Sequence, residues 1–325
     1  MSPPSLLAFR PVSAVHRLPP RSQACPLSLR DLLRAQGGVR RPLPIVGAPR
    51  PALARAALLA AQQAGAAIGL GLPGGGTPEP WFDAVTGAAD ELAPRLPIFL
   101  SGEVAVEAGE GGAERAARRA WRLVEAGFTH LAVDVSRVAV AERARAAAQV
   151  AGLAVEREIA VELLLPGDGE PAGPEEAAAF QEELEGWGLR PDALGLRMAA
   201  PDGADGLRDQ ARRLAVLSAA LGRTALVRHG PVTPVLLQVL RAAGVAAAED
   251  GGRVRAAALA TLPEEARRAW EAPAERGAGE PALEPAAAAR LEALAFAEAL
   301  AVIEAMGAGG SAAALAAGIT APGPR

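Results

Sequence analysis

The sequence contains no lysine, no asparagine and no tyrosine, and its basic side chains are all arginine apart from three histidines. Each absence removes a class of chemistry. Without the lysine amine there is no Schiff-base catalysis, no lysine-anchored pyridoxal phosphate and no P-loop. A single cysteine, Cys25, excludes an internal disulfide framework and a cysteine-based zinc cluster. Aromatic residues make up only 3% of the chain, too few for base stacking to be its business. The formal net charge is −4 over 325 residues, which points to neither nucleic acid nor an anionic membrane as partner. No apolar run approaches the roughly 18–20 residues that span a bilayer, and prolines interrupt the first residues before a signal-peptide core can form. A cytoplasmic protein with a small-molecule substrate or a protein partner is the expectation.

What the chain does have is a repeating plan, clearest in Trp121-Arg122-Leu123-Val124-Glu125-Ala126-Gly127-Phe128-Thr129-His130-Leu131-Ala132-Val133-Asp134-Val135-Ser136. A helical run over 116–126 stops at Gly127, because glycine accepts the left-handed backbone that ends a helix. A short apolar strand over 129–133 follows, continuous as expected when protein covers both faces, and it closes on Asp134 and Ser136. The same unit recurs. Strands are predicted at 43–46, 66–70, 96–100, 129–133, 158–165, 193–198, 224–227 and 245–248. Helices follow them at 51–64, 80–92, up to Gly127, 138–150 with Gly152 as its stop, 174–186, 205–221 and 234–243, with two helical segments, 253–260 and 263–272, after the last strand. Pro166-Gly167-Asp168-Gly169 is a turn sequence. Eight strand–helix pairs of this size predict a (β/α)8 TIM barrel over residues 42–272. A doubly wound sheet is the competitor, but the GxGxxG that should follow its first strand is broken at Val46-Gly47-Ala48-Pro49. Residues 1–41 read as a tail followed by a lid or plug helix over Leu29–Ala35 that closes at Gly37-Gly38. Residues 273–325 read as a linker, a long alanine-rich helix and a small-residue tail. That helix carries Leu291, Leu294, Ala295, Ala299, Val302 and Ile303 near helical spacing, suited to packing on the barrel, with a homo-oligomer as the alternative.

In such a barrel the chemistry sits at the C-terminal ends of the strands. Those positions hold glycines 74–76, Ser101 with Glu103, Asp134 with Ser136, Glu162 with Asp168, Arg197, Arg228 with His229 and Gly230, and Glu249 with Asp250. Carboxylates and a histidine converging there suit acid/base work or a divalent ion. Arg228 is placed either to hold an anion or to pair with Glu249 or Asp250. His130 falls at the start of its strand and is expected to be structural, and His16 lies in the tail without a role.

The segment Ala126-Gly127-Phe128-Thr129-His130-Leu131-Ala132-Val133-Asp134-Val135-Ser136 resembles the "aGFtsvmiDgS" of class II (metal-dependent) ketose-bisphosphate aldolases. Leu96-Pro97-Ile98-Phe99-Leu100-Ser101-Gly102-Glu103-Val104 is similar to the strand that ends "HxDH" in that family, or "GGDH" in its tagatose-bisphosphate aldolase accessory-subunit branch. Residues 158–169, 192–196 and 226–245 resemble later family segments in the same order. The resemblance implies a TIM barrel acting on a ketose through a histidine-bound zinc ion that polarises the carbonyl while an aspartate moves the proton. Together with the strand-end positions it leaves Glu103 and Asp134 as catalytic, Ser136, Arg197, Arg228 and Gly230 as substrate-binding, and Glu162 and His229 as metal ligands. Val104 and Ala199-Ala200 stand where the family has zinc histidines, so magnesium on oxygen ligands is the alternative to zinc. Two expectations follow: an aldolase-like enzyme of carbohydrate metabolism, or a catalytically degenerate barrel that serves as a non-catalytic subunit or scaffold.

Overall fold

Eight strands close on themselves, all parallel, in the computed structural model, which describes residues 5–36, 41–72, 76–165, 173–272 and 280–321. They are β2 (Leu43–Gly47), β3 (Ile68–Leu72), β4 (Pro97–Ala105), β5 (His130–Asp134), β6 (Ala160–Leu164), β7 (Ala193–Arg197), β8 (Ala225–His229) and β9 (Ala247–Glu249); a two-residue β1 (Cys25–Pro26) adds to β4. β2 pairs with β9 and each strand pairs with the next, so the predicted (β/α)8 TIM barrel is the fold and the open sheet is excluded. The predicted glycines 74 and 75, Gly37-Gly38, the turn at 166–169 with Asp168, and most of the 273–285 linker lie outside the described residues.

The alternation of side chains along each strand sorts the core into two regions. Outward residues such as Ile98, Leu100, Leu131, Val133, Leu194 and Leu226 pack beneath the surrounding helices. These helices are α3 (Pro51–Ala64), α4 (Pro78–Leu92), α5 (Gly112–Glu125), α6 (Arg143–Glu156), α7 (Pro174–Gly186), α8 (Gly203–Ala220), α9 (Pro234–Leu240) and α10 (Arg253–Leu259). Inward residues Ile45, Phe99, Ala160, Ala225 and Val227 fill the N-terminal half of the lumen. Each fully buried Leu or Phe stabilises by roughly 1.5–3 kcal/mol relative to an exposed one. Gly65 ends α3 at φ +58, and Gly127 takes φ +93 after α5, as the sequence predicts. Gly152 does not stop its helix; α6 runs through it to Glu156, and Glu158 makes the turn at φ +58 instead. An alanine-rich helix tolerates one interior glycine at about 1 kcal/mol.

Residues 5–36 pack against the barrel. Beyond α1 (Val12–Arg17), β1 pairs Cys25 with Pro97 and Pro26 with Ile98, on the lower half of β4. β5 pairs only with the upper half, from Ser101 onward, and Thr129 bridges the junction by accepting the Leu100 N–H at 2.9 Å. β4 is nine residues long because two partners satisfy its one edge in succession. The predicted plug helix forms as α2 (Leu29–Ala35), and its Leu29 and Leu32 join Leu27 under the lumen residues Leu43 and Phe99. After α11 (Glu264–Glu271), the long helix is α12 (Pro285–Ala305), which buries Leu291, Ala295, Ala299, Val302 and Ile303 chiefly against α3. The terminal small-residue segment folds too, as α13 (Ser311–Thr320), and packs on α2. Among the described residues no helix is long and apolar enough to cross a membrane.

Candidate functional site

The inward positions at the upper ends of β4 to β9 are polar, which breaks the apolar alternation below them. Reading upward, β4 presents Ser101 and Glu103, β5 His130 and Asp134, β6 Glu162, β7 Arg197, β8 His229, and β9 Glu249. Strand pairing sets Arg197 beside His229 and places Ser101 level with His130. The stagger of parallel strands therefore lifts His130 off the barrel floor into the middle of the lumen, although it opens its strand.

Glu162 is the hub. It is wholly buried, and its Oε1 lies 2.5 Å from His229 Nε2. Its Oε2 lies 3.2 Å from His130 Nε2, within ion-pair distance but not aligned as a hydrogen bond, so both of those atoms lack a hydrogen-bond partner. His130 Nδ1 meets Ser101 Oγ at 2.9 Å. His229 Nδ1 faces Glu249 Oε2 at 3.3 Å. A polar chain thus crosses the lumen from Ser101 through His130, Glu162 and His229 to Glu249. Burial alone pushes the Glu162 carboxyl up, but the His229 charge and the two imidazoles outweigh it and pull it down to about 2. Burial would likewise lower His229, yet the Glu162 charge and the bonds to Glu162 and Glu249 raise it to about 10. At neutral pH His229 is an imidazolium that donates to two carboxylates.

The rim opposite carries a second ion cluster. Arg197 Nη2 is 2.6 Å from Glu103 Oε1 and 3.5 Å from Asp134 Oδ2. Asp134 Oδ1 accepts the Ser136 N–H at 2.9 Å, so the Asp134 side chain caps the turn after β5. Four carboxylates of this site, those of Glu103, Asp134, Glu162 and Glu249, face one guanidinium and one imidazolium.

Arg228 does not take the role expected of it. It is fully buried because it points outward from β8, and its guanidinium donates to the carbonyls of Gly230 at 2.7 Å, Pro231 at 2.6 Å and Ala199 at 3.3 Å. It pins the loops after β7 and β8 rather than meeting a substrate anion, and no ion pair joins it to Glu249 or Asp250 among the described residues. Burial lowers its pKa to about 10. Gly230, at φ +94, holds the turn above, and its N–H is bonded to Glu249. Asp250 is also buried and accepts the N–H groups of Gly47, Gly252 and Val254, which fixes the start of α10 to β2.

The expected metal ligands do not make a metal site. Val104 is buried among the outward apolar residues, Ala199 and Ala200 offer no donor, and both nitrogens of His229 are engaged by carboxylates. Among the described residues no group of three or more His, Cys, Asp or Glu side chains is placed to hold an ion. The donor set fits neither tetrahedral zinc nor octahedral magnesium. Glu162 and His229 form an ion pair instead. No single sequence motif shows the Ser101–His130–Glu162 link, although inward parity along β4, β5 and β6 carries its signal.

The pairing makes stability depend on pH at both ends. Glu162 titrates lower in the fold than its ordinary 4.5, so its contribution is present above pH 4.5 and lost as pH falls toward 2. His229 titrates higher than its ordinary 6.5, so its contribution is present below 6.5 and lost as pH rises toward 10. The unfolding free energy from urea titrations across the pH range should fall at both ends, by an amount on the order of 3 kcal/mol in each limb. A profile flat between pH 6.5 and 10 would contradict the buried pair.

No family model and no curated protein matches the chain. Solved structures do share its fold. The YdjI aldolase from Escherichia coli K12 superposes with a TM-score of 0.64 at 16% identity, over 88% of this chain and 98% of its own. A proposed fructose-1,6-biphosphate aldolase from Coccidioides immitis gives 0.64 at 19%, over 90% and 99%. A probable tagatose 6 phosphate kinase from Sinorhizobium meliloti 1021 gives 0.53 at 20%, over 86% of each chain. At such identities the likeness is one of fold, the (β/α)8 barrel.

Proposed function

We propose that this chain makes or breaks a carbon–carbon bond in a small sugar or sugar phosphate by acid/base chemistry, in a cytoplasmic setting and without a three-histidine zinc site. The observation that carries the proposal is the buried His229 imidazolium, held between Glu162 and Glu249 at the C-terminal end of β8. Ionised groups are expensive to bury, and a desolvated pair at a barrel's strand ends is where function is built. The 3.3 Å bond to Glu249, whose side chain is 34% exposed, is the longer and more open of the two. A substrate carbonyl oxygen can take its place. In the cleavage direction Glu103 takes the proton of the substrate hydroxyl, whose oxygen becomes the carbonyl of the released aldehyde, while the electron pair of the broken C–C bond becomes the C=C of an enol and His229 protonates the former carbonyl oxygen. Glu103 then gives its proton to the enol carbon as His229 takes back the enol O–H proton, which restores both side chains and releases the carbonyl product. The excess of carboxylates disfavours a bisphosphate and favours an uncharged sugar or a monophosphate.

A second reading, a non-catalytic barrel serving as subunit or scaffold, is favoured by one observation: Glu103 is already paired with Arg197 at 2.6 Å. Proton exchange at the carbon next to the carbonyl of dihydroxyacetone in D2O, followed by NMR with chelator present, separates the two. The enzyme reading expects catalysed exchange that falls by about 100-fold or more in Glu103→Gln. Exchange no faster with wild type than with that variant sinks it.

A further inference from the structure

The end of the barrel away from this site holds a cavity of about 570 Å³, bounded by α2, α7 and the turns that lead into β7 and β8. Its volume falls within the range of about 300–1,000 Å³ that small-molecule sites occupy. Four arginines line it, Arg30, Arg34, Arg190 and Arg223, against only two carboxylates, Glu185 and Asp192. The carboxylates are not free to neutralise the rest. Asp192 is gripped by both arms of Arg30, at 2.7 and 3.1 Å, and also accepts the Val161 N–H at 3.0 Å. Glu185 reaches only Arg190, at 3.5 Å. Arg34 and Arg223 form no ion pair within hydrogen-bonding reach among the described residues, Asp31 acting on Arg34 only through space, and they come from separate elements, α2 and the turn before β8. The floor adds neutral polar groups, with Gln181 Nε2 donating to Thr224 Oγ1 at 2.9 Å. In a chain of net charge −4, this is a local excess of two positive charges inside a concavity.

We propose that this cavity is a binding site for a small polyanion, a phosphorylated metabolite or a polycarboxylate, gripped between Arg34 and Arg223. Guanidinium groups stay charged at any working pH and present paired N–H donors that match phosphate and carboxylate oxygens. A ligand here ties the N-terminal α2 to β7 and β8, so binding raises the thermal midpoint through mass action. The site is separate from the upper rim and does not rest on the aldol reading.

Calorimetric titration and thermal shift of the full chain with inorganic pyrophosphate, and separately with citrate, at fixed ionic strength test it. One anion or both should bind one per chain and raise the midpoint; tighter pyrophosphate assigns the phosphorylated class, tighter citrate the polycarboxylate. Arg34→Ala with Arg223→Ala, and Arg223→Gln alone, should fold as wild type because both side chains are exposed, and should weaken binding by about tenfold or more. Arg197→Ala, at the other end, should bind as wild type. The proposal is overturned if neither anion binds, if the Arg34 and Arg223 variants bind as well as wild type, or if Arg197→Ala abolishes binding.

Discussion

Glu162→Gln should cost about 3 kcal/mol of stability at neutral pH and remove most of the loss of stability expected between pH 6.5 and 10. The side chain is wholly buried, and its charge is what holds His229 protonated in a place where burial alone would neutralise it. An amide of the same shape keeps the packing but withdraws that charge. His229 then either stays charged with only Glu249 as its anionic partner, or loses its Nε2 proton, accepts from the new amide and keeps its Nδ1–H for Glu249. Removing one partner of a buried ion pair typically costs about 3–5 kcal/mol, and neutralisation of His229 limits the loss to the lower end. Urea unfolding at neutral and alkaline pH measures the first effect, and an imidazole titration by NMR the second. If His229 still titrates near 10 in the variant, the Glu162 contact is not what raises it.

Gly195→Ala should destabilise by about 3 kcal/mol, although the change adds a single methyl group. Gly195 lies on β7 opposite Leu164, and a Cβ built there would overlap Glu162 Oε1 and Leu164 Cδ2. Neither neighbour has room to retreat, since both are buried and Glu162 is held by His229. The methyl therefore strains the lumen and displaces the carboxylate from its imidazolium. The same substitution placed in a Glu162→Ala background should cost about 1–2 kcal/mol less, because the truncated side chain leaves the space the methyl needs. A double-mutant cycle by chemical denaturation gives that coupling directly. Equal costs in the two backgrounds would mean that Gly195 is required for a reason other than Glu162.

These two residues show where sequence reading stops. Glu162 could be picked out as a polar residue in an apolar strand, and its metal-ligand assignment came only through the family resemblance. Its actual partners, His130 and His229, lie 32 and 67 residues away along the chain and meet it through the register of three strands. Arg228 and His229 are adjacent in sequence and equally polar, yet one is sealed outside the barrel against backbone carbonyls while the other enters the lumen. Strand parity decides which, and parity is fixed only once the strand's true start is known: the predicted strand at 224–227 stopped short of both residues, which the structure places inside β8. The same shortfall hid the folded roles of Cys25 and of the last helix, whose pairing and packing are with distant elements.

By itself the sequence determined the barrel, because eight apolar strands punctuated by helices and glycine stops have few other ways to bury both faces. It also determined which chemistries are closed to the chain, since a missing lysine cannot be supplied by folding. Only the tertiary structure decided that the polar strand ends form a carboxylate–imidazolium chain rather than a metal cage. That outcome depends on distances of a few ångströms set by strand stagger, and stagger is a property of the closed barrel rather than of any one segment.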